Sequence, residues 1–331
     1  MEIVWVELGR RAPGYLFNNI QLNSVMFPEL KRTIVSDREM SKLRIKKAKN
    51  YVISSQESDP YNGIRELQRD NPDKNSDFWI NTTTRFFGLL KYMEHSGAKN
   101  VVHLESDCVL LQSGDLEHRF ESAQWNLAYP MQSRGIGCAS IMLIRDVEAI
   151  SDFCQFIIKE LSSQNFFSDD MTLLGRYAEI SSRTQILASS FNSQNEFVYD
   201  AQSFGKYFLG TDARNLRLPF SSRGIDDLRP ESGTIQFSSK ERFKVRKLGQ
   251  KQIDVQCVKS GSRLVNVHVH SKRIPRTVSK LVWNLNRGTS KRHSLTWRLG
   301  HIDYLVFLER LVSRFRQKVL GLKFSNEIRL R

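Results

Sequence analysis

Residues 100–111, NVVHLESDCVLL, constrain this chain more than any other stretch. Val101, Val102, His103 and Leu104 form an apolar run that ends in two carboxylates one residue apart, Glu105 and Asp107. An apolar run broken by acids at its C-terminal end suits a central parallel strand whose tip faces a crevice. Two acids at such a tip can hold a hard divalent cation that also binds phosphate oxygens. The tripeptide alone carries little, because a second Glu-Ser-Asp stands at Glu57, Ser58 and Asp59, inside a long polar stretch. Position selects the copy at 105–107.

The flanking sequence supplies the rest of an α/β pattern. Residues 3–8 read as a first strand and 9–14 as a loop with Pro13; 15–27 form a helix closed by Pro28. Residues 32–36 and 50–54 follow as strands, and 55–76 as a long polar loop with Pro60 and Pro72. Phe78, Phe86, Leu89, Leu90 and Met93 recur at helical spacing up to Gly97, which is placed as the C-cap. Further strands are expected at 125–129 and 139–144, a helix at 147–161, a second acidic pair at Asp169 and Asp170, and an alternating strand LVNVHVH at 264–270.

The net charge of +15 on 331 residues is concentrated at one end. Residues 240–331 contain 23 Lys and Arg against 5 Asp and Glu, a net +18, which leaves residues 1–239 at −3. Such asymmetry points to a tail that meets phosphate, on nucleic acid, anionic lipid or a phosphorylated carrier. Residues 302–322 are amphipathic, with Leu305, Leu308, Leu311, Val312, Phe315, Val319 and Leu322 on one face and Arg310, Arg314, Arg316 and Lys318 elsewhere. This helix either packs on the body or rests on an anionic membrane surface. Trp283, Trp297 and Phe315 are too sparse for a nucleic-acid patch. No apolar run approaches the ~20 residues of a membrane span, and MEIVWVELGRRAPG lacks the basic and apolar regions of a secretory signal. The four cysteines contain no CxxC pair, which favours reduced thiols and a cytoplasmic setting.

Five blocks, taken in order, resemble the GT-A class of nucleotide-sugar-dependent glycosyltransferases, in particular poorly characterised bacterial members. They are FWINTTTRFFGLLKYME (78–94), ASIMLI (139–144), SDDMTLLGRY (168–177), YDAQSFGKYFLGTDARN (199–215) and VHVHSK (267–272). The resemblance covers residues 1–275 and implies a mostly parallel central sheet flanked by helices, as a catalytic domain. Residues 276–331 would be a basic, largely helical extension. One departure stands out: the acidic motif is Glu105-Ser106-Asp107, not Asp-x-Asp.

The resemblance gives the residues roles, each with a plainer reading beside it. Asp107 is the expected ligand of a divalent cation (Mn²⁺ or Mg²⁺), with Glu105 as second ligand or ribose contact; otherwise the two are a solvated acid pair. His268 and His270 share a strand face, and one of them, His270 before His268, would complete the metal shell; Lys272 would pair with a donor phosphate. Asp169 or Asp170 would accept the proton of the acceptor hydroxyl, unless the pair serves only to cap a helix. Gly9, Asp37, Arg85 and Ser106 are expected on the donor, and Asp200, Tyr207 and Asp212 on the acceptor side. The partners implied are a nucleoside-diphosphate sugar and a glycan or lipid-linked acceptor, in surface polysaccharide or glycolipid synthesis. A sugar-phosphate nucleotidyltransferase is the alternative enzyme, though GRRAPG lacks that class's repeated glycines. A basic nucleic-acid-binding protein is the alternative outside enzymes; the near-neutral first 239 residues speak against it.

Overall fold

The computed structural model describes residues 1–8, 12–38, 40, 47–53, 77–122, 124–163, 169–191, 193–209, 242–248, 252–270 and 272–290. Gly9, Asp212 and the amphipathic segment 302–322 lie outside the described residues, as do the loops 55–76 and 221–240. The strands are β1 (Glu2–Glu7), β2 (Lys31–Ser36), β3 (Lys49–Val52), β4 (Val101–Leu104), β5 (Cys108–Leu110), β6 (Leu127–Ser133), β7 (Ile136–Gly137), β8 (Ile141–Ile144), β9 (Thr184–Leu187), β10 (Phe197–Val198), β11 (Phe243–Leu248), β12 (Gln252–Cys257), β13 (Arg263–Leu264) and β14 (Asn266–His268). The helices are α1 (Gly14–Met26), α2 (Asp77–Ser96), α3 (Gly114–Glu121), α4 (Val147–Ser163), α5 (Asp170–Ile180), α6 (Ser203–Leu209) and α7 (Val278–Ser290).

The main sheet runs β3-β2-β1-β4-β8-β6-β7, with β9 paired to β6. Strands β3, β2, β1 and β4 are parallel, while β8 is antiparallel to both of its neighbours. The sheet keeps the mostly parallel character the sequence led us to expect, β9 being parallel to β6 as well, but β8 makes it mixed. The reason is local: after β4 the chain leaves the sheet for β5 and re-enters through β8 in the opposite direction.

Side-chain alternation sorts the core into two layers. Ile3 and Trp5 of β1, Val102 and Leu104 of β4, and Ile141 and Leu143 of β8 pack on one face with Leu16 and Ile20 of α1. Val4, Val101, Met142 and Ile144 point to the other face, against Phe86, Leu89 and Met93 of α2 and Phe153 and Ile157 of α4. A strand apolar on both faces must be covered on both, which is why β4 lies in the middle. Helix α2 stops where expected: Gly97 takes φ 65° and its N–H donates to the Met93 carbonyl at 3.0 Å.

The expected single strand at 264–270 is two short ones in different sheets. Strand β13 joins β10, β12 and β11, and β14 pairs antiparallel with β5. The β5–β14 pairing matters most, because it sets His268 opposite Cys108, one residue past the acidic turn. Helix α7, within the segment proposed as an extension, buries Leu281 and Leu285 in the same cluster as Leu16. Asn18 of α1 donates to the Ile274 carbonyl just before it, at 2.8 Å.

Helix α6 meets β14 at almost no separation. A Cβ on Gly205 would stand 1.6 Å from the His268 carbonyl oxygen, so only glycine fits there. Gly205→Ala should force α6 off β14 and lower Tm by several degrees, about what a loss of 1–2 kcal/mol produces at this size; a thermal melt matching the parent would contradict the close approach.

Candidate functional site

The site grows from the turn between β4 and β5. Its backbone closes with the Cys108 N–H donating to the Glu105 carbonyl at 2.9 Å. Asn19, buried on α1, holds the turn from below: its Nδ2 donates to the carbonyls of Ser106 at 3.1 Å and Cys108 at 2.8 Å. Asn23, one turn on, donates its Nδ2 to the Asn19 side-chain oxygen at 2.6 Å. Two amides at i and i+4 on a largely apolar helix were the sequence signal for this support. The Ser106 hydroxyl donates to the Glu7 carboxylate at the end of β1.

Around this turn lies a cavity of about 410 Å³ at the C-terminal ends of β1 and β4. Glu105, Ser106, Asp107, Arg85, Asp170, His268, His270 and Lys272 all line it. These eight, expected together from the sequence, come from α2, the β4–β5 turn, α5, the end of β14 and the segment after it. Glu7, Tyr15, His103, Cys138 and Gln202 also line it and were not singled out from the sequence.

The charges interlock. Arg85, deep on α2, donates through Nη1 to Glu105 and through Nη2 to Asp170. The guanidinium thus joins two carboxylates rather than standing free for a phosphate. Burial alone would lower the Arg85 pKa; Glu105 and Asp170 outweigh it and raise it. Burial would raise Glu105, but Arg85 and His268 hold it down at about 2. Asp170 is raised, by burial first, against the opposing pull of Arg85.

His268 faces both acids of the turn. Its Nε2 lies 3.3 Å from Glu105 Oε2 and 3.3 Å from Asp107 Oδ2, and its Nδ1 is 2.9 Å from the Ala201 carbonyl. That carbonyl requires Nδ1–H, which turns Nε2 toward the carboxylates. Burial opposes charge on the ring, yet the Cys138 thiol and Glu105 push its pKa up to about 10. The His270 ring packs 4.3 Å from the His268 ring. It is His268, the less favoured of the two in sequence, that reaches the acids. Lys272, at φ 58°, donates from Nζ to Asp107, and the Val269 N–H donates to the Asp107 carbonyl at 2.7 Å.

Other expected residues fall elsewhere. Asp169 is the N-cap of α5, its Oδ1 accepting from the Thr172 N–H at 2.8 Å, while Asp170 is the one that enters the cavity. Asp200 is fully buried and does not line it. Its carboxylate accepts from the N–H groups of Phe204 at 3.0 Å, Gly205 at 2.7 Å and His268 at 2.9 Å, tying α6 to β14. Asp37 is exposed beside Arg38, 3.1 Å away, and does not line the cavity either. Tyr207 sits on α6.

Glu105 Oε2 and Asp107 Oδ2 each lie 3.3 Å from His268 Nε2, so two carboxylates flank one imidazole, and these are donors of the kind that take a divalent cation. No protein-family model matches the sequence, and no curated protein sequence matches it. Among solved structures, the fold is similar to galactosyltransferase LgtC in complex with donor and acceptor sugar analogs, at TM-score 0.41 and 12% identity over 59% of this chain and 77% of that one. It is similar to mouse xyloside xylosyltransferase 1 at TM-score 0.41 and 12% identity, covering 60% of this chain and 87% of that one. A cytidylyltransferase from Leptospira borgpetersenii is matched at TM-score 0.34 and 10% identity, over 56% of this chain and 74% of that one. The neighbours are mostly GT-A glycosyltransferases, and the likeness is one of fold alone. The chemistry has to be argued from the cavity.

The Arg85 bridge gives a direct test. Arg85→Met leaves Glu105 and Asp170 buried with no guanidinium between them, which should cost about 3–5 kcal/mol. Arg85→Met combined with Glu105→Gln and Asp170→Asn should recover most of that loss in urea unfolding; equal losses in both variants would show that the bridge is not what holds these acids.

Proposed function

We propose that this chain transfers a sugar from a nucleoside-diphosphate donor to a hydroxyl acceptor, assisted by a divalent cation. The observation that carries the reading is the meeting, in one cavity, of Glu105 and Asp107 with His268 on one side and the Arg85–Asp170 pair on the other. The first group suits a cation with its diphosphate; the second suits a sugar and the hydroxyl that attacks it.

Asp107 and His268 would hold the cation, with Glu105 as third donor. When bound, the cation neutralises charge on the departing diphosphate. Lys272, on Asp107, is close enough to that position to shift from carboxylate to phosphate. Glu7 at the tip of β1 and Ser106 in the β4–β5 turn would contact the ribose, at the C-terminal ends of parallel strands. Asp170 is the proposed proton acceptor. Burial raises its pKa above that of an exposed aspartate, which strengthens it as a base, and Arg85 fixes the carboxylate in one orientation. Once Arg85 binds both Glu105 and Asp170, cation binding at Glu105 and the placing of Asp170 become coupled.

No helix among the described residues is long and apolar enough to cross a membrane. A cytoplasmic enzyme building a surface polysaccharide or glycolipid, its basic 302–322 segment against anionic lipid, is the setting we propose.

A panel of UDP-, GDP-, CMP- and dTDP-sugars with Mn²⁺ should contain a donor that the protein hydrolyses or transfers. Asp107→Ala should lower that rate by at least about 100-fold, the scale of losing one electrostatic contact in a transition state, with the chain still folded by circular dichroism. Turnover of an NTP and a sugar phosphate with pyrophosphate release, and none of any sugar nucleotide, would overturn the reading in favour of a nucleotidyltransferase.

A further inference from the structure

Cys138 lies in the turn between β7 and β8, far in sequence from the acidic motif. It is the one cysteine that lines the cavity; Cys108, Cys154 and Cys257 are buried in the core. Glu105, Cys138 and His268 each present a ligand atom, and these three atoms all lie within 4.8 Å of one another. They come from three separate parts of the chain: the β4–β5 turn, the β7–β8 turn and the end of β14.

The thiol is held in place. The Cys138 N–H donates to the Pro130 carbonyl at 2.9 Å. The preceding residue, Gly137, packs so tightly on α5 that a Cβ there would stand 2.4 Å from the Leu174 Cβ. The Cys138 Sγ donates to the Ala201 carbonyl at 2.9 Å, the same oxygen that orients His268. One carbonyl therefore positions both the imidazole and the sulfur.

We propose that Cys138 is a protein ligand of the cation site and makes that site selective for thiophilic divalent ions, Zn²⁺, Co²⁺ or Cd²⁺, over Mg²⁺. This rests on the cation reading above. Carboxylate oxygens alone favour Mg²⁺ and Mn²⁺, whereas one sulfur with one imidazole and one carboxylate is a donor set of the zinc type. Ion binding would displace the thiol proton from Sγ and the proton from His268 Nε2, both to solvent.

Co²⁺ titration of the full chain tests this, because a cobalt–thiolate bond gives a near-ultraviolet charge-transfer band that oxygen and nitrogen ligands do not. We expect the band in the parent and in Cys108→Ser, and its loss in Cys138→Ser. By calorimetry, Cys138→Ser should weaken Cd²⁺ by more than about 100-fold, beyond the 10–100-fold of an outer-shell change. Mg²⁺ affinity should change by less than about tenfold, since Mg²⁺ draws on oxygen. Co²⁺ binding that depends on His268 but shows no such band in the parent would overturn the sulfur ligand and leave the cation site standing. No binding of any divalent ion would overturn both.

Discussion

The cavity depends on a balance of buried charge. Glu105, Asp107 and Asp170 are brought together where burial penalises an ionised carboxylate, and Arg85, His268 and Lys272 answer them one for one. Neither half is stable without the other. The elements that carry them are fixed accordingly: α2 must run under β4 to deliver Arg85, and β14 must pair with β5 to deliver His268. The close approach of α6 to β14 at Gly205, and the carboxylate of Asp200 that ties them, serve the same placement. What first looked like an acceptor contact is a strut for the site.

That balance bears on function. With four acids in the lining, Glu7 included, against Arg85, Lys272 and His268, a diphosphate arriving alone would meet no surplus of positive charge. A diphosphate arriving with a divalent cation keeps the balance. On the proposed reading, a cation held there would displace the charge on His268 and join the acids, freeing Lys272 for phosphate, and joint binding of ion and nucleotide would be favoured over either alone.

Much of this was legible in the sequence. The strand before Glu105, the helix ending at Gly97, the cap before Met171 and the late histidines are all local patterns, set by periodicity and by Gly or Asp at fixed offsets. What was not legible depends on pairing between distant segments. LVNVHVH alternates like one strand, but Val265 is where it leaves one sheet for another, and no local signal marks that. Arg85 reads as a solvated or phosphate-facing helix residue until α5 brings Asp170 beside it. Cys138, 33 residues from Glu105, gives no motif at all. Asp169 and Asp170 are separable only by structure, since either could cap the helix.

On the reading proposed here, Glu105 and Asp107 of the β4–β5 turn and His268 of β14 bind a cation together with a nucleoside diphosphate. Electron paramagnetic resonance of Mn²⁺, titrated with the protein in the presence and absence of UDP or GDP, measures that linkage directly. One of these nucleotides should tighten Mn²⁺ binding by at least about tenfold, a coupling of about 1.4 kcal/mol, and His268→Ala should remove the effect. Mn²⁺ binding equally tight with and without either nucleotide, or unaffected by His268→Ala, would contradict it.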